Sequence, residues 1–405
     1  MLGMGWSKAV LLLVACVVCA CSRPQPDIFP RQIECLAVEP TDRIHHVRTG
    51  PDWAAPDLSV GDVCYRSDEV SWAEVSRLAG DAVHAPVAYV AGAEVLFKIE
   101  LELAQPGRVV LEASGESRHA EPGSMMRLAR EEYVANEAGK LAVTLSTAPL
   151  PDVVDVFDLY LTYRLETVDG KVTRVETHHP LALSWDAPIA GTPVYERTMM
   201  WASEWAAGTK AKKALQESER LDAENAIARA MLDGVWGLGD EGYRYGPFDR
   251  PAEKDNQAHV FLDFRTAACG EFRGVLLALN EYHGVEANWV MMSFRKPAKD
   301  KLSMYETREL PGVGTEPKVW RFWNHVAVEV NGRVYDPSYG LYAPDWNTYE
   351  DDLFARYCYG EDVKCKGGEN WCKRPRAEGL CVDNPAGFDE SDPIMGMEVW
   401  RGEKY

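Results

Sequence analysis

The sequence predicts an α+β protein in which an antiparallel β-sandwich domain precedes a second domain of mixed helices and strands. Residues 94–103 alternate apolar and charged side chains, as a half-buried strand does. An apolar stripe with helical spacing follows Cys269, and a hairpin signal, Asn331-Gly332, lies further on. The 405 residues suffice for two domains, and because 46% of them are hydrophobic, sizeable cores can form.

Residues 1–20 have the pattern of an export signal. A single Lys8 precedes an apolar run that is too short to span a bilayer comfortably and suits a secretory signal. The run ends in Val-Cys-Ala-Cys-Ser at residues 18–22, which resembles a bacterial lipobox, so we expect Cys21 to carry lipid. A plain secreted protein cleaved near the same place is the alternative. The first interpretation anchors the exported chain to a bacterial membrane, in the periplasm or at the cell surface.

The antiparallel β-sandwich is predicted over residues 80–186. Short runs with alternating side chains follow one another there, and turn residues separate them. No chemistry is evident in this region. His178 and His179 are adjacent on a predicted strand and therefore point to opposite faces, which disfavours a shared metal site.

The second domain is predicted over residues 195–345, with a long helix at about 210–235 near its beginning. Its most informative segment is the helix that follows Cys269. The apolar stripe of this helix consists of Phe272, Val275, Leu276 and Leu279. With Thr266 as N-cap and Gly284 as the stop, Cys269 lies in the first turn, where free backbone N–H groups favour a thiolate. The alternative is a small buried hydrophobic residue.

A β-hairpin is predicted from residue 324 to residue 336, with Asn-Gly as its two-residue loop. This loop sets Val330 opposite Arg333 and, further from the turn, Ala327 opposite Asp336. His325 and Asp336 are then diagonal neighbours on one face, ~7–8 Å apart at the backbone. The carboxylate could orient the imidazole and leave its other nitrogen to deprotonate a thiol. Alternatively, His325 is an ordinary strand residue and Asp336 begins an Asp-Pro turn.

The cysteine count also singles out one thiol. Of ten cysteines, two leave with the signal and one takes lipid. The seven that remain are Cys35, Cys64, Cys269, Cys358, Cys365, Cys372 and Cys381. In an oxidising compartment the last four would form two disulfides of unknown connectivity, and Cys35 could pair with Cys64. Cys269 is then free, unless it pairs with another cysteine.

The remaining regions frame these two domains. Residues 21–79 predict a tether and a small disulfide-clipped segment, and residues 346–405 predict a Cys-rich C-terminal tail. Residues 295–317 predict a long charged loop. The tail cysteines lack a C-x-x-C pair, so zinc is disfavoured there. The formal charge of −20 disfavours nucleic acid as a partner, because phosphate backbones would be repelled.

Three segments resemble the transglutaminase-like cysteine enzyme superfamily. They are Ala-Cys269-Gly-Glu with its helix, Asn-His325-Val-Ala-Val-Glu-Val, and Gly-Arg-Val-Tyr-Asp336-Pro. Their order and spacing agree with the family pattern, since the cysteine precedes the histidine by 56 positions and the aspartate follows it by 11. The resemblance covers about residues 200–345. Many relatives carry an arginine where this chain has Asn288.

The resemblance implies a papain-like α+β core with Cys269 as nucleophile, His325 as general base and then acid, and Asp336 as orienting residue. The oxyanion-hole side chain is expected near Tyr243 or Tyr245. An acyl-enzyme would be resolved by water in a peptidase or amidase and by an amine in a transglutaminase. No metal or organic cofactor is implied.

Two functions follow. The first is an exported, lipid-anchored thiol enzyme, a cysteine hydrolase or acyltransferase, that acts on amide bonds of protein or cell-wall peptide. The second is a non-catalytic binding or assembly lipoprotein that uses an enzyme-like core and a β-sandwich. The expected partners are a protein or peptide substrate and, through the lipid anchor alone, a membrane. The sequence does not determine the oligomeric state.

Overall fold

The computed structural model describes residues 26–37, 62–66, 87–121, 123–190, 192, 194–212, 217–246, 265–294, 301–322, 324–361, 381–383 and 397–401. The predicted export signal, Cys21, Cys365 and Cys372 lie outside these ranges. The expected mixture of helices and strands is confirmed, and strands predominate, with 48% strand against 22% helix.

Two sheets face each other in the N-terminal part, which we call the two-sheet unit. The first sheet has the order β2-β1-β4-β7, with β1 Ile28–Ala37, β2 Asp62–Arg66, β4 Val95–Leu103 and β7 Gly139–Ser146. The second has the order β3-β9-β8-β5-β6, with β3 Val87–Val90, β5 Gly107–Ser117, β6 Met126–Ala135, β8 Asp155–Thr167 and β9 Val172–Ser184. One hydrophobic core lies between them and takes side chains from both sheets.

The alternation along β4 positions this core. Phe97, Ile99 and Leu101 are buried, whereas Lys98 between them is exposed. Each strand therefore contributes one apolar face. The pairing is antiparallel except between β3 and β9, which run parallel. An entirely antiparallel arrangement was predicted, but a long chain connection separates β3 from β9, and such connections permit parallel pairing.

The two-sheet unit begins earlier than the sequence predicts. Strand β1 lies within the predicted tether, yet it pairs with β4 from Ile28 to Ala37. A bulge between Pro30 and Gln32 shifts the register. The bulge breaks the period-two pattern, which explains why this strand was not recognised from alternation. Cys35 is buried and disulfide-bonded.

Four helices are described in the C-terminal part, which we call the helical unit. They are α1 Glu196–Ala207, α2 Glu217–Gly237, α3 Cys269–Tyr282 and α4 Trp346–Leu353. Helices α1, α2 and α3 share one hydrophobic core with Val328, Val330 and Tyr335 of the neighbouring sheet. The second helix begins at Glu217, later than the predicted residue 210, where Lys210 has a left-handed φ of 54° that no helix continues.

Two sheets and a short bridge complete the helical unit. One sheet has the order β17-β16-β15-β12-β20, with β12 Asn288–Phe294, β15 Asn324–Val330, β16 Arg333–Asp336, β17 Leu341–Ala343 and β20 Met397–Arg401. The other has the order β14-β13-β18-β19, with β13 Lys301–Leu310, β14 Lys318–Phe322, β18 Phe354–Glu361 and β19 Cys381–Asp383. The bridge is a parallel pair, β10 Arg244–Tyr245 and β11 Thr266–Ala267.

Two sequence predictions are wrong in this unit. Residues 301–310 are predicted as part of a loop, but they form β13, an inner strand of its sheet. The charged residues of this segment are typical of loops. One of them, Glu306, is nevertheless buried and accepts a hydrogen bond from Arg321 at 2.6 Å. The predicted tail contributes β18 and β20, which pair with β13 and β12. The register also places Cys358 opposite Cys381.

The two units meet at the end of β9. The Trp185 backbone N–H donates to Nδ1 of His283, at 3.3 Å, and the Ser203 hydroxyl donates to the Leu183 carbonyl, also at 3.3 Å. His283 follows α3 directly and is buried. These contacts fix the C-terminal end of α3 against the two-sheet unit.

Candidate active site

Helix α3 begins at Cys269 itself. Its N-cap is Ala268, not the predicted Thr266, because Thr266 is engaged in β11, where it pairs with Arg244. Alanine has no side-chain acceptor, so it cannot cap the helix with its own side chain. The second half of a capping box is present instead, because Glu271 accepts a hydrogen bond from the Ala268 N–H at 3.0 Å. The N–H of Cys269, at the first helical position, has no carbonyl acceptor within the helix.

Cys269 is a free thiol and is half-buried. At the first turn of α3 it lies at the positive end of the helix dipole, which favours a negative charge on sulfur. The C-terminal stop at Gly284 is confirmed: this residue has a left-handed φ of 73°, and an added Cβ would lie 2.7 Å from the Ala187 carbonyl oxygen.

The hairpin forms as predicted. Asn331 and Gly332 have φ angles of 51° and 77°, the left-handed values that a type I′ turn requires. Val330 pairs with Arg333, so the predicted register is confirmed where the strands meet the turn. Further along, Nε2 of His325 lies 2.8 Å from Oδ2 of Asp336.

The His325–Asp336 pair is sealed from solvent, since both side chains are 0% exposed. Oδ1 of Asp336 accepts the Ser338 backbone N–H at 2.9 Å, and Oδ2 also accepts the Tyr349 hydroxyl at 2.7 Å. Three donors thus fix the carboxylate, and the carboxylate in turn fixes the imidazole ring.

The charge state of His325 follows from these neighbours. Burial disfavours the charged ring, but the charge and hydrogen bond of Asp336, together with the Cys269 thiol, outweigh it and raise the pKa of His325 to about 10. Its second nitrogen, Nδ1, is buried and has no hydrogen-bond partner of ordinary geometry among the described residues. Nδ1 is therefore the nitrogen available to the thiol.

Aromatic rings enclose the pair. Phe322 and Tyr339 lie 4.9 and 5.2 Å from the His325 ring, centroid to centroid. The Tyr245 ring contacts Tyr339 at 5.1 Å and Trp320 at 4.8 Å. Low polarity around the imidazole strengthens its interaction with the carboxylate and limits access of water.

Of the two tyrosines expected near the oxyanion, Tyr245 is the one beside the thiol. Burial raises its pKa well above the ordinary value, and the charge of Cys269 raises it further. Its hydroxyl oxygen accepts the Tyr339 hydroxyl at 3.3 Å, which leaves its own proton to donate. Tyr243 instead packs into the helical core against Trp201, at 6.1 Å.

Backbone hydrogen bonds hold the parts of the site together. The Tyr245 N–H donates to the Val313 carbonyl at 2.9 Å, and the Val313 N–H donates to the Ser338 carbonyl at 3.0 Å. The Gly246 N–H donates to the Ala267 carbonyl, also at 3.0 Å. Loop residues around 313 therefore connect the start of α3, the bridge strand β10 and the end of the hairpin.

Sequence reasoning missed several residues of the site. Tyr349 belongs to α4, in the predicted tail, and no local pattern links it to Asp336. Asn288 is exposed at the start of β12. An arginine, Arg273, lies one helical turn after Cys269.

Within the described ranges, no cluster of His, Cys, Asp and Glu side chains suits a metal ion. No helix among these residues is long and apolar enough to cross a bilayer.

Comparisons with known proteins add little to this geometry. No protein-family model matches the chain, and no curated protein matches it. The solved structure of murine CRIg aligns over 24% of this chain and 92% of its own, at 12% identity and a TM-score of 0.17. A candidate protease of Parabacteroides distasonis aligns over 74% of this chain and 70% of its own, at 10% identity and a TM-score of 0.18. Both scores are too low to establish a shared fold.

Proposed function

We propose that the chain is a thiol enzyme of the transglutaminase-like type, with a papain-like α+β core preceded by a β-sandwich, and that it acts on amide bonds. One observation carries the proposal. A buried imidazole is bonded through Nε2 to Asp336, while the free thiol of Cys269 at a helix start interacts with the same ring. Nucleophile, base and orienting residue are thus present in one place.

The chemistry proceeds through an acyl-enzyme. Because the pKa of His325 is raised to about 10, the proton of the Cys269 thiol resides on Nδ1 of His325 in the resting pair, and the thiolate attacks the amide carbonyl to form a tetrahedral oxyanion. The Cys269 N–H and the Tyr245 hydroxyl are candidate donors to that oxyanion. As the C–N bond breaks, His325 returns the proton to the leaving amine. Water then releases an acid in a hydrolase, or an amine forms a new amide in an acyltransferase.

The proposed setting is outside the cytoplasm, with Cys21 lipidated and protein or cell-wall peptide as substrate. Changing Cys21 to Ser tests the anchor: the variant should leave the membrane fraction after expression in an exporting bacterial host. Continued partitioning with membranes would refute lipidation at this residue.

A non-catalytic binding protein is the second candidate. The observation that favours it is an open hollow of about 400 Å³ on the two-sheet unit, lined by Gln32, Lys98, Tyr133 and Thr144 among others. This hollow is formed by strands β1, β4, β6 and β7, none of which carries Cys269, His325 or Asp336.

Alkylation of Cys269 by iodoacetamide, located by peptide mass spectrometry across neutral pH, distinguishes the two functions. We expect the wild type to react at least about tenfold faster than His325→Ala or Asp336→Asn, because the first variant removes the imidazolium that stabilises the thiolate and the second removes the carboxylate that keeps this imidazolium charged. Asp155→Asn is the matched control, since Asp155 is also buried and hydrogen-bonded to a histidine, Nδ1 of His119, at 2.7 Å. Equal alkylation rates in the wild type and the three folded variants would contradict the enzyme proposal.

A further inference from the structure

Arg273 has a position on α3 that the proposed chemistry has not used. It follows Cys269 by four residues, and side chains at this spacing lie on the same helix face, with Cβ atoms ~5–6 Å apart. Its guanidinium carbon lies 5.3 Å from the centroid of the Trp289 ring on β12. The arginine is therefore held between the helix and the sheet, beside the nucleophile.

Among the described residues, no acidic side chain forms an ion pair with this guanidinium. Its Nε is buried and has no hydrogen-bond acceptor there. Burial lowers the pKa of Arg273, and the charges of Cys269 and Glu271 act in the opposite direction. Glu271 uses Oε2 to accept the Ala268 N–H at the helix cap.

Arg220 also lies over a tryptophan ring, and it serves as a comparison because acidic side chains pair with it. Its guanidinium carbon lies 4.8 Å from the centroid of Trp185. It also forms ion pairs with Asp186, at 3.4 Å, and Glu224, at 3.1 Å. A partly buried cation without such partners is costly to the fold. Arg273 therefore retains unused capacity to bind an anion.

We propose that Arg273 binds a carboxylate of the substrate, close to the amide that Cys269 attacks. The inference rests on the proposed function and specifies its substrate class, amides that carry a free carboxylate near the acyl carbon. A guanidinium matches a carboxylate in shape and can donate two parallel hydrogen bonds. Contact with Trp289 limits the orientations that the guanidinium can adopt.

The charge of the whole chain makes a local cation necessary for such a substrate. With a formal charge of −20, the protein repels acidic peptides at a distance. Arg273 supplies a positive group on the same helix face as Cys269, and His325 supplies another when protonated. Binding of an acidic substrate at Cys269 then depends on charges within the site.

A pair of small alkylating agents tests this directly. Iodoacetate carries a carboxylate and iodoacetamide is neutral, while both alkylate the same sulfur. We expect the ratio of the iodoacetate rate to the iodoacetamide rate at Cys269 to fall about three- to tenfold in Arg273→Gln and to recover in Arg273→Lys. Arg220→Gln is the matched control and should keep the wild-type ratio.

An unchanged ratio in Arg273→Gln would overturn the inference. Arg273→Met, which keeps the aliphatic contact with Trp289, provides the same reading if the Gln variant does not fold. Failure of the proposed function looks different: the iodoacetamide rate would then be independent of His325, whatever the ratio does. The two results are therefore distinguishable in one set of experiments.

Discussion

The two units place their ionisable groups differently. In the two-sheet unit, paired charges keep exposed surface on at least one partner, such as Arg108 with Glu166 at 3.0 Å, Arg118 with Asp158 at 2.9 Å, and His119 with the buried Asp155 at 2.7 Å. In the helical unit, His325 and Asp336 are bonded to each other without any exposed surface. Surface pairs contribute little to stability, whereas a buried pair has to be satisfied completely. Among the described residues, the pair in which neither side chain is exposed is the one that interacts with the free thiol of Cys269.

The largest expected effect separates a buried pair from an exposed one. Asp336→Ala leaves the His325 charge buried without its partner and should lower the free energy of unfolding by about 3–5 kcal/mol. Arg108→Ala breaks an exposed pair and should cost below about 1 kcal/mol. Urea unfolding followed by circular dichroism measures both. Similar losses in the two variants would remove the distinction between the units.

Alkaline pH should destabilise the helical unit through His325. Asp336 and Cys269 raise its pKa to about 10 against burial, so the folded state holds a proton that the unfolded state releases near pH 6.5. The stabilisation is complete below pH 6.5 and is lost as pH rises toward 10, by at most about 1.4 kcal/mol per pH unit. Melting temperatures of wild type and His325→Gln should therefore converge between pH 7 and 10. Parallel profiles would contradict this assignment.

The smallest effect concerns Tyr349, which donates one of the three hydrogen bonds to Asp336. Tyr349→Phe keeps the ring and should cost about 1–2 kcal/mol, because Asp336 retains its other donors. The rate of Cys269 alkylation should fall less than in Asp336→Asn. Tyr335→Phe, at a hydroxyl that contacts Asn225 instead, is the control for loss of a phenol. A rate loss as large as that of Asp336→Asn would mean that Tyr349, more than the carboxylate, orients the ring.

Local signals account for the parts that the sequence predicts well. The Asn331-Gly332 turn fixes the hairpin register because both residues adopt left-handed φ angles, and the stop at Gly284 has the same cause. Alternation along β4 predicts its buried face, since that strand has no bulge where it pairs with β7.

Non-local contacts account for the parts that were not predicted. Periodicity does not indicate strand β1 because a bulge disrupts it, and it does not indicate β13 because the charged residues of this strand are typical of loops. Ala268 as N-cap carries no sequence signal, and its backbone N–H donates to the Glu271 carboxylate. Tyr349 reaches Asp336 only through tertiary packing, so no spacing rule could have identified it.

The backbone bonds that join Tyr245, Val313 and Ser338 have a consequence for the order of folding. Helix α3 and the hairpin are local structures and can form early, but the contacts around Val313 require long loops to close first. We therefore expect the thiol and the imidazole to meet late in folding. An incompletely folded chain carries Cys269 as an ordinary cysteine, and any reactivity that depends on His325 arises only after the last of these segments is in place.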